Sequence, residues 1–115
     1  MGLITHIVAF KYKDGTTDAE KHLVASSFLA LQDQCKLQGT EENYLSVTGG
    51  SNNSPEGFNK GCEHAWVVTF RNTQERDYYL DKDPAHQAFK DKALPFITDA
   101  FVFDFEQGTF ASSRP

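Results

Sequence analysis

The sequence predicts an α+β fold: a four-stranded antiparallel sheet with helices on one face, connected in the split βαβ order. Three observations lead there. Apolar residues alternate with period two in four short stretches and recur at helical spacing between them. The order along the chain is strand, helix, strand, strand, helices, strand. The first and last strands are also apolar on both faces, which asks for a layer on each side of the sheet.

The first strand is "LITHIVAFKYK", with Ile4, His6, Val8, Phe10 and Tyr12 on one face and Leu3, Thr5, Ile7 and Ala9 on the other. "TTDAEKHLVASSFLALQDQCKLQG" then reads as one helix. Thr17 and Glu20 have capping-box spacing, Val24, Phe28, Leu31 and Cys35 form the inner stripe, and Gly39 supplies a stop. "NYLSVTGG" is a short second strand, and "GGSNNSPEGFNKG" is a polar loop. "CEHAWVVTF" places His64, Trp66, Val68 and Phe70 on one face of a third strand. Two short helices follow, "NTQERDYYL" with Asn72 and Glu75 at capping spacing, and "DPAHQAFKDKAL" ending near Pro95. "DAFVFDFE" is the last strand, with Phe101, Phe103 and Phe105 on one face and Ala100 and Val102 on the other.

This arrangement fits one domain over residues 1–115, with a core of about residues 3–106 and a loose C-terminal tail. Helices cover one face of such a sheet, so the triple-Phe face and the Ile7/Ala9 face need another cover. Burying side chains of this kind is worth roughly 1.5–3 kcal/mol each. A second copy packing sheet to sheet supplies the cover, so a homodimer is expected.

Composition removes several function classes. The formal charge of −5 argues against nucleic acid, whose phosphates are held by clustered Lys and Arg. No apolar run approaches the roughly 18 residues that span a bilayer, and the N-terminal stretch lacks the parts of a signal peptide. "MGLITH" falls short of a myristoylation signal at its sixth residue. The two cysteines, Cys35 and Cys62, form no framework and have no activating neighbour, so a reduced, cytoplasmic protein is expected.

The histidines carry the functional question. Asp83 is a good N-cap, Pro84 suits the first helical position, and His86 follows in the first turn. Spacing with Phe89, Ala93 and Phe96 puts His86 on the buried stripe, where the helix dipole disfavours its charged form. Two readings stand: a packed imidazole hydrogen-bonded to a carbonyl, or a neutral imidazole serving as general base or ligand contact. His6 and His64 each share a strand face with large apolar residues. They fall toward opposite ends of neighbouring antiparallel strands, and no acid completes a ligand spacing, so neither metal nor cofactor is expected. His22 is read on a solvated helix face.

The segments "HIVAFKYKDGTT", "HAWVVTF", "YYLDKDPAHQAF" and "VFDF", in this order, resemble the stress-responsive dimeric α/β-barrel (Dabb) family over about residues 3–106. The resemblance implies a ferredoxin-like subunit, two sheets meeting across a dimer to form a barrel, and a pocket between each sheet and its own helices. Most members are stress-induced. One plant member is a polyketide cyclase that closes a linear poly-β-ketone by aldol condensation without a metal. Its histidine base matches His86, and its assisting tyrosine falls at Tyr79, beside Tyr78, once one inserted residue is allowed. His6 and His64 match pocket histidines, and Val8, Phe10, Phe28, Trp66 and Phe89 match pocket-wall positions. Three functions are compatible with this reading. They are a stress-responsive protein binding a small apolar or polyketide-like ligand, a cofactor-independent cyclase with His86 as base, and a structural assembly protein.

Overall fold

The computed structural model describes residues 2–111; residues 112–115, the end of the expected tail, lie outside them. In chain order the elements are β1 (Ile4–Tyr12), α1 (Asp18–Leu29), α2 (Leu31–Gln34), β2 (Leu45–Ser51), β3 (His64–Phe70), α3 (Thr73–Asp81), α4 (Pro84–Ala93) and β4 (Ile97–Glu106), with a 3-10 turn at Leu94–Phe96. The strands form one antiparallel sheet in the order β2-β3-β1-β4, the expected α+β architecture.

Local chemistry explains most boundaries. Thr17 and Glu20 complete the capping box that starts α1, and the Asn72 side chain accepts from Glu75 N–H at the start of α3. The expected single helix over 16–39 is instead two pieces that meet at Ala30 and end at Gln34. Asn43 causes the early stop: its side-chain amide donates to the carbonyls of Gln32 and Asp33 at 2.9 and 3.0 Å, satisfying groups that would otherwise continue the helix. Gly39, with φ of +78°, sits in a turn beyond the helix. Asn43 is thereby taken out of β2, whose far end runs on to Ser51.

The helix layer sits mainly over β2 and β3, with α4 packed on α1 and α2. Between layers lies an aromatic core. Phe28 stacks on Trp66 with ring centres 4.4 Å apart, Phe10 meets Trp66 at 5.0 Å, and Phe89 meets Phe28 at 5.1 Å. Trp66 lies so close over β2 that a Cβ on Gly49 would fall 2.4 Å from its ring. That contact requires glycine at position 49.

The opposite face is bare. Register places Phe101 beside Ala9, Phe103 beside Ile7 and Phe105 beside Thr5, so the three phenylalanines and the second face of β1 form one surface. Phe101 and Phe103 are more than half exposed. On the helix side β4 is also uncovered: Val102 is 57% exposed although its neighbour Val8 is buried. The chain after β4 is held at its start, because Gln107 N–H donates to the Leu3 carbonyl at 2.9 Å and its side chain reaches Thr5.

Gly49→Ala is expected to lower stability by about 1–3 kcal/mol, as overpacking does. Gly50→Ala, whose Cβ would meet nothing within 4 Å, should change it little. Urea unfolding of both variants checks this; equal midpoints would show that Trp66 does not press on Gly49.

Candidate functional site

The residues singled out from the sequence separate into three neighbouring groups. The first surrounds His86. Asp83, fully buried, accepts from Ala85 N–H at 2.9 Å and His86 N–H at 3.4 Å, and so begins α4. The same carboxylate accepts from the Tyr44 hydroxyl, and the Cys35 thiol lies close enough to feel its charge. Burial first and Asp83 second push both of those groups upward, so each stays protonated. His86 Nδ1 lies 2.8 Å from the Tyr79 carbonyl oxygen, which can only accept; Nδ1 therefore carries the hydrogen and Nε2 the lone pair. The imidazole stacks on the Tyr79 ring with centres 3.8 Å apart. Both sequence readings of His86 thus meet in one geometry, a packed imidazole bonded to a carbonyl with one acceptor nitrogen left.

Tyr79 is completely buried, and its hydroxyl has no hydrogen-bond partner among the described residues. Burial drives its phenol upward from the ordinary tyrosine value. His6 stands edge-on to the same ring at 5.9 Å. Its Nδ1 is 2.6 Å from Asp104 Oδ1, while Asp104 Oδ2 accepts from Arg76 at 3.0 Å. Asp104 and Arg76 escaped the sequence reading. Their signal is the β1–β4 register, which makes His6 and Asp104 direct cross-strand partners.

The second group is the expected pocket wall. Val8, Phe10, Phe28, Trp66 and Phe89 are all buried, and the aromatic members pack on one another. The third group is at the other end of the sheet. His64 pairs with Phe10, four register positions from His6 on β1, or roughly 13 Å along a strand. Its Nδ1 is hydrogen-bonded to the Tyr12 hydroxyl at 2.7 Å, and burial lowers its pKa. Burial, then Glu63, pushes Tyr12 up to about 12.

His64 and Trp66 border a cavity of about 360 Å³ between α1 and the β2–β3 edge. Ala25 and Leu29 of α1 and the glycines of β2 complete its apolar part. An ion pair from Lys21 to Glu63 at 3.0 Å and the side chain of His22 give it a polar rim. His86, Tyr79 and His6 do not border this cavity. Among the described residues no group of three or more His, Cys, Asp or Glu converges on a metal-sized site.

Burial holds His86 down at about 4, from an ordinary 6.5. The unfolded chain therefore binds more protons than the folded one between these values, and His86's contribution is complete above pH 6.5 and lost as pH falls toward 4. Wild type should lose on the order of 2 kcal/mol more than His86→Phe between pH 7 and 4.5. Chemical denaturation at both pH values measures the difference; equal losses would mean that His86 titrates freely in the fold.

The architecture has well-defined relatives. A hydroxynitrile lyase from Passiflora edulis superposes with a TM-score of 0.79 at 18% identity, covering 96% of this chain and 98% of that one. A protein from Arabidopsis thaliana gives 0.78 at 18% identity, covering 95% and 99%. A dimeric protein of unknown function with a ferredoxin-like fold from Bacteroides fragilis gives 0.66 at 22%, covering 92% and 97%. No curated protein matches the sequence. The model of the stress responsive A/B barrel domain matches residues 4–107, nearly the whole described chain, and the protein belongs to that family, Dabb.

Proposed function

We propose that the protein is a homodimeric, cytoplasmic, stress-responsive binding protein that holds a small apolar ligand between its sheet and α1. The observation that carries this reading is the 360 Å³ cavity bordered by Trp66, Ala25 and Leu29 with His64 at its polar rim. Its volume lies within the range of small-molecule sites, and its mix of apolar wall and few polar groups is the usual composition. No helix among the described residues is long and apolar enough to cross a membrane.

The dimer is supported by the bare face of Phe101, Phe103, Phe105 and Ile7, and by solved neighbours described as dimeric. Phe103→Asp places a charge at the centre of that face. Mass measurement in solution should find wild type at twice the subunit mass and the variant monomeric or aggregated. A well-folded dimeric variant would assign the interface elsewhere.

A second reading, aldol-type closure of a β-keto chain, draws on the stacked Tyr79–His86 pair and the unpartnered Tyr79 hydroxyl. Chemistry weakens it. A base held near 4 takes a proton from carbon poorly at neutral pH, because general bases work best near the operating pH.

The chain's single tryptophan borders the cavity, so its emission reports occupancy. Titrating with linear poly-β-ketones and other small apolar compounds should give saturable changes. Ala25→Leu, which fills the cavity, should weaken binding about tenfold or more. Product formation followed in parallel tests the cyclase reading; turnover that His86→Ala abolishes would put the enzyme first. No saturable response to any compound, or unaltered affinity in Ala25→Leu, would remove the cavity as the binding site.

A further inference from the structure

The loop that follows α2 faces the junction of α3 with α4 across an open cavity of about 400 Å³. It shares no lining residue with the cavity beside α1, and no histidine borders it. We infer that this second cavity binds a small phosphate monoester, its phosphate held by Lys36 and Lys82 and its aromatic or aliphatic body resting on Tyr78 and Leu37. The site goes beyond the binding function proposed above and does not depend on it.

Charge selects an anion. In a chain of net charge −5, Lys36 and Lys82 come from separate segments to line one cavity. Lys21, Arg71 and Arg76 each rest on a carboxylate. Lys36 meets only a neutral group, the Asn43 side-chain oxygen at 3.2 Å, and the Lys82 ammonium has no partner among the described residues. Asn43 is the residue that ends α2, so the side chain that sets the course of the loop also holds Lys36. Asp83 is the one carboxylate among the lining residues. It is fully buried, and its oxygens already accept from two backbone N–H groups and the Tyr44 hydroxyl, so neither is spent on a lysine.

The backbone adds donors. The Leu37 carbonyl accepts from the Thr40 N–H and hydroxyl, both at 2.9 Å, which closes a turn with Gly39 at φ of +78°. Gln38 and Gly39 line the cavity, and their N–H groups have no partner among the described residues. Turn N–H groups of this kind are recurrent anion ligands. Phosphate suits this set better than carboxylate. Its three terminal oxygens and about two charges can engage both ammonium groups and a turn N–H together, whereas a carboxylate offers two oxygens and one charge. The floor is apolar: Leu37, Tyr78 and Ala85 are half-buried and packed against the core. An apolar floor with a few polar groups above it is the usual composition of a small-molecule site.

Phenyl phosphate is the probe, with phenol and inorganic phosphate as its two halves. In nitrogen-15 NMR titrations it should move the amide signals of Gln38, Gly39 and Ala85 along saturable curves that share one dissociation constant. The signals of Gly49 and Gly50, beside the other cavity, should stay still. Phenol and inorganic phosphate should each bind about tenfold more weakly or worse. Lys36→Gln and Lys82→Gln, which break no ion pair among the described residues, should each weaken phenyl phosphate about tenfold. Lys60→Gln, on the loop between β2 and β3, changes the net charge equally and should leave affinity as it was. Shifts centred on Gly49 and Gly50 would move the probe to the cavity beside α1 and overturn the proposal. So would unaltered affinity in either lysine variant of the site, an equal loss in Lys60→Gln, or no saturable shift at all. Inorganic phosphate binding as tightly as phenyl phosphate would leave an adventitious ion only, and overturns it too.

Discussion

The fold is organised around one buried carboxylate. Asp83 starts α4, receives the Tyr44 hydroxyl at the entry to β2, and lies beside Cys35 at the exit of α2. Three segments distant in sequence therefore share one anion. A carboxylate removed from water persists only if its lone pairs are filled, and here two backbone N–H groups and a hydroxyl fill them. That requirement fixes where α4 begins, and so fixes the height of His86 over the Tyr79 carbonyl.

Local patterns in the sequence were enough for the sheet, its order and its two apolar faces, because each depends on periodicity or on capping chemistry. Thr17, Asn72 and Asp83 all cap the helices that their spacing announced. The break after Gln34 was not legible, because its cause, Asn43, approaches from nine residues downstream. Gly49 read as the junction of the second strand with its loop, whereas the reason for a glycine there is a tryptophan on the next strand. Asp104 lies within "VFDF", but nothing in that segment assigns it a partner. Only the pairing register of β1 with β4 reveals that it faces His6. The inner-face residues of the expected site were legible from strand parity and helix phase. The division along the strand axis, with His6 and His64 at opposite ends of neighbouring antiparallel strands, was legible too; what pattern could not supply was the partner that each imidazole finds.

That division gives three chemically different imidazoles in one small chain. The backbone carbonyl bonded to His86 orients the ring but carries no full charge to offset burial, and the ring stays neutral well into acid. The Tyr12 hydroxyl holds His64 near the polar rim of a cavity. The carboxylate at His6 gives that ring a counter-ion in place. Residue type alone says little about what a histidine does; the partner of its Nδ1 says more.

The contact of Trp66 with Gly49 has an evolutionary consequence. The indole also rests on Phe28 and forms one wall of the cavity, so the size of that cavity and the identity of residue 49 are coupled. A lineage that began by enlarging residue 49 would lose packing before gaining anything. One that first replaced Trp66 with a smaller side chain would open the cavity and free position 49 in the same step. The order of substitutions is therefore constrained: recognition of a bulkier ligand is reached through the tryptophan, and only afterwards through the glycine beneath it.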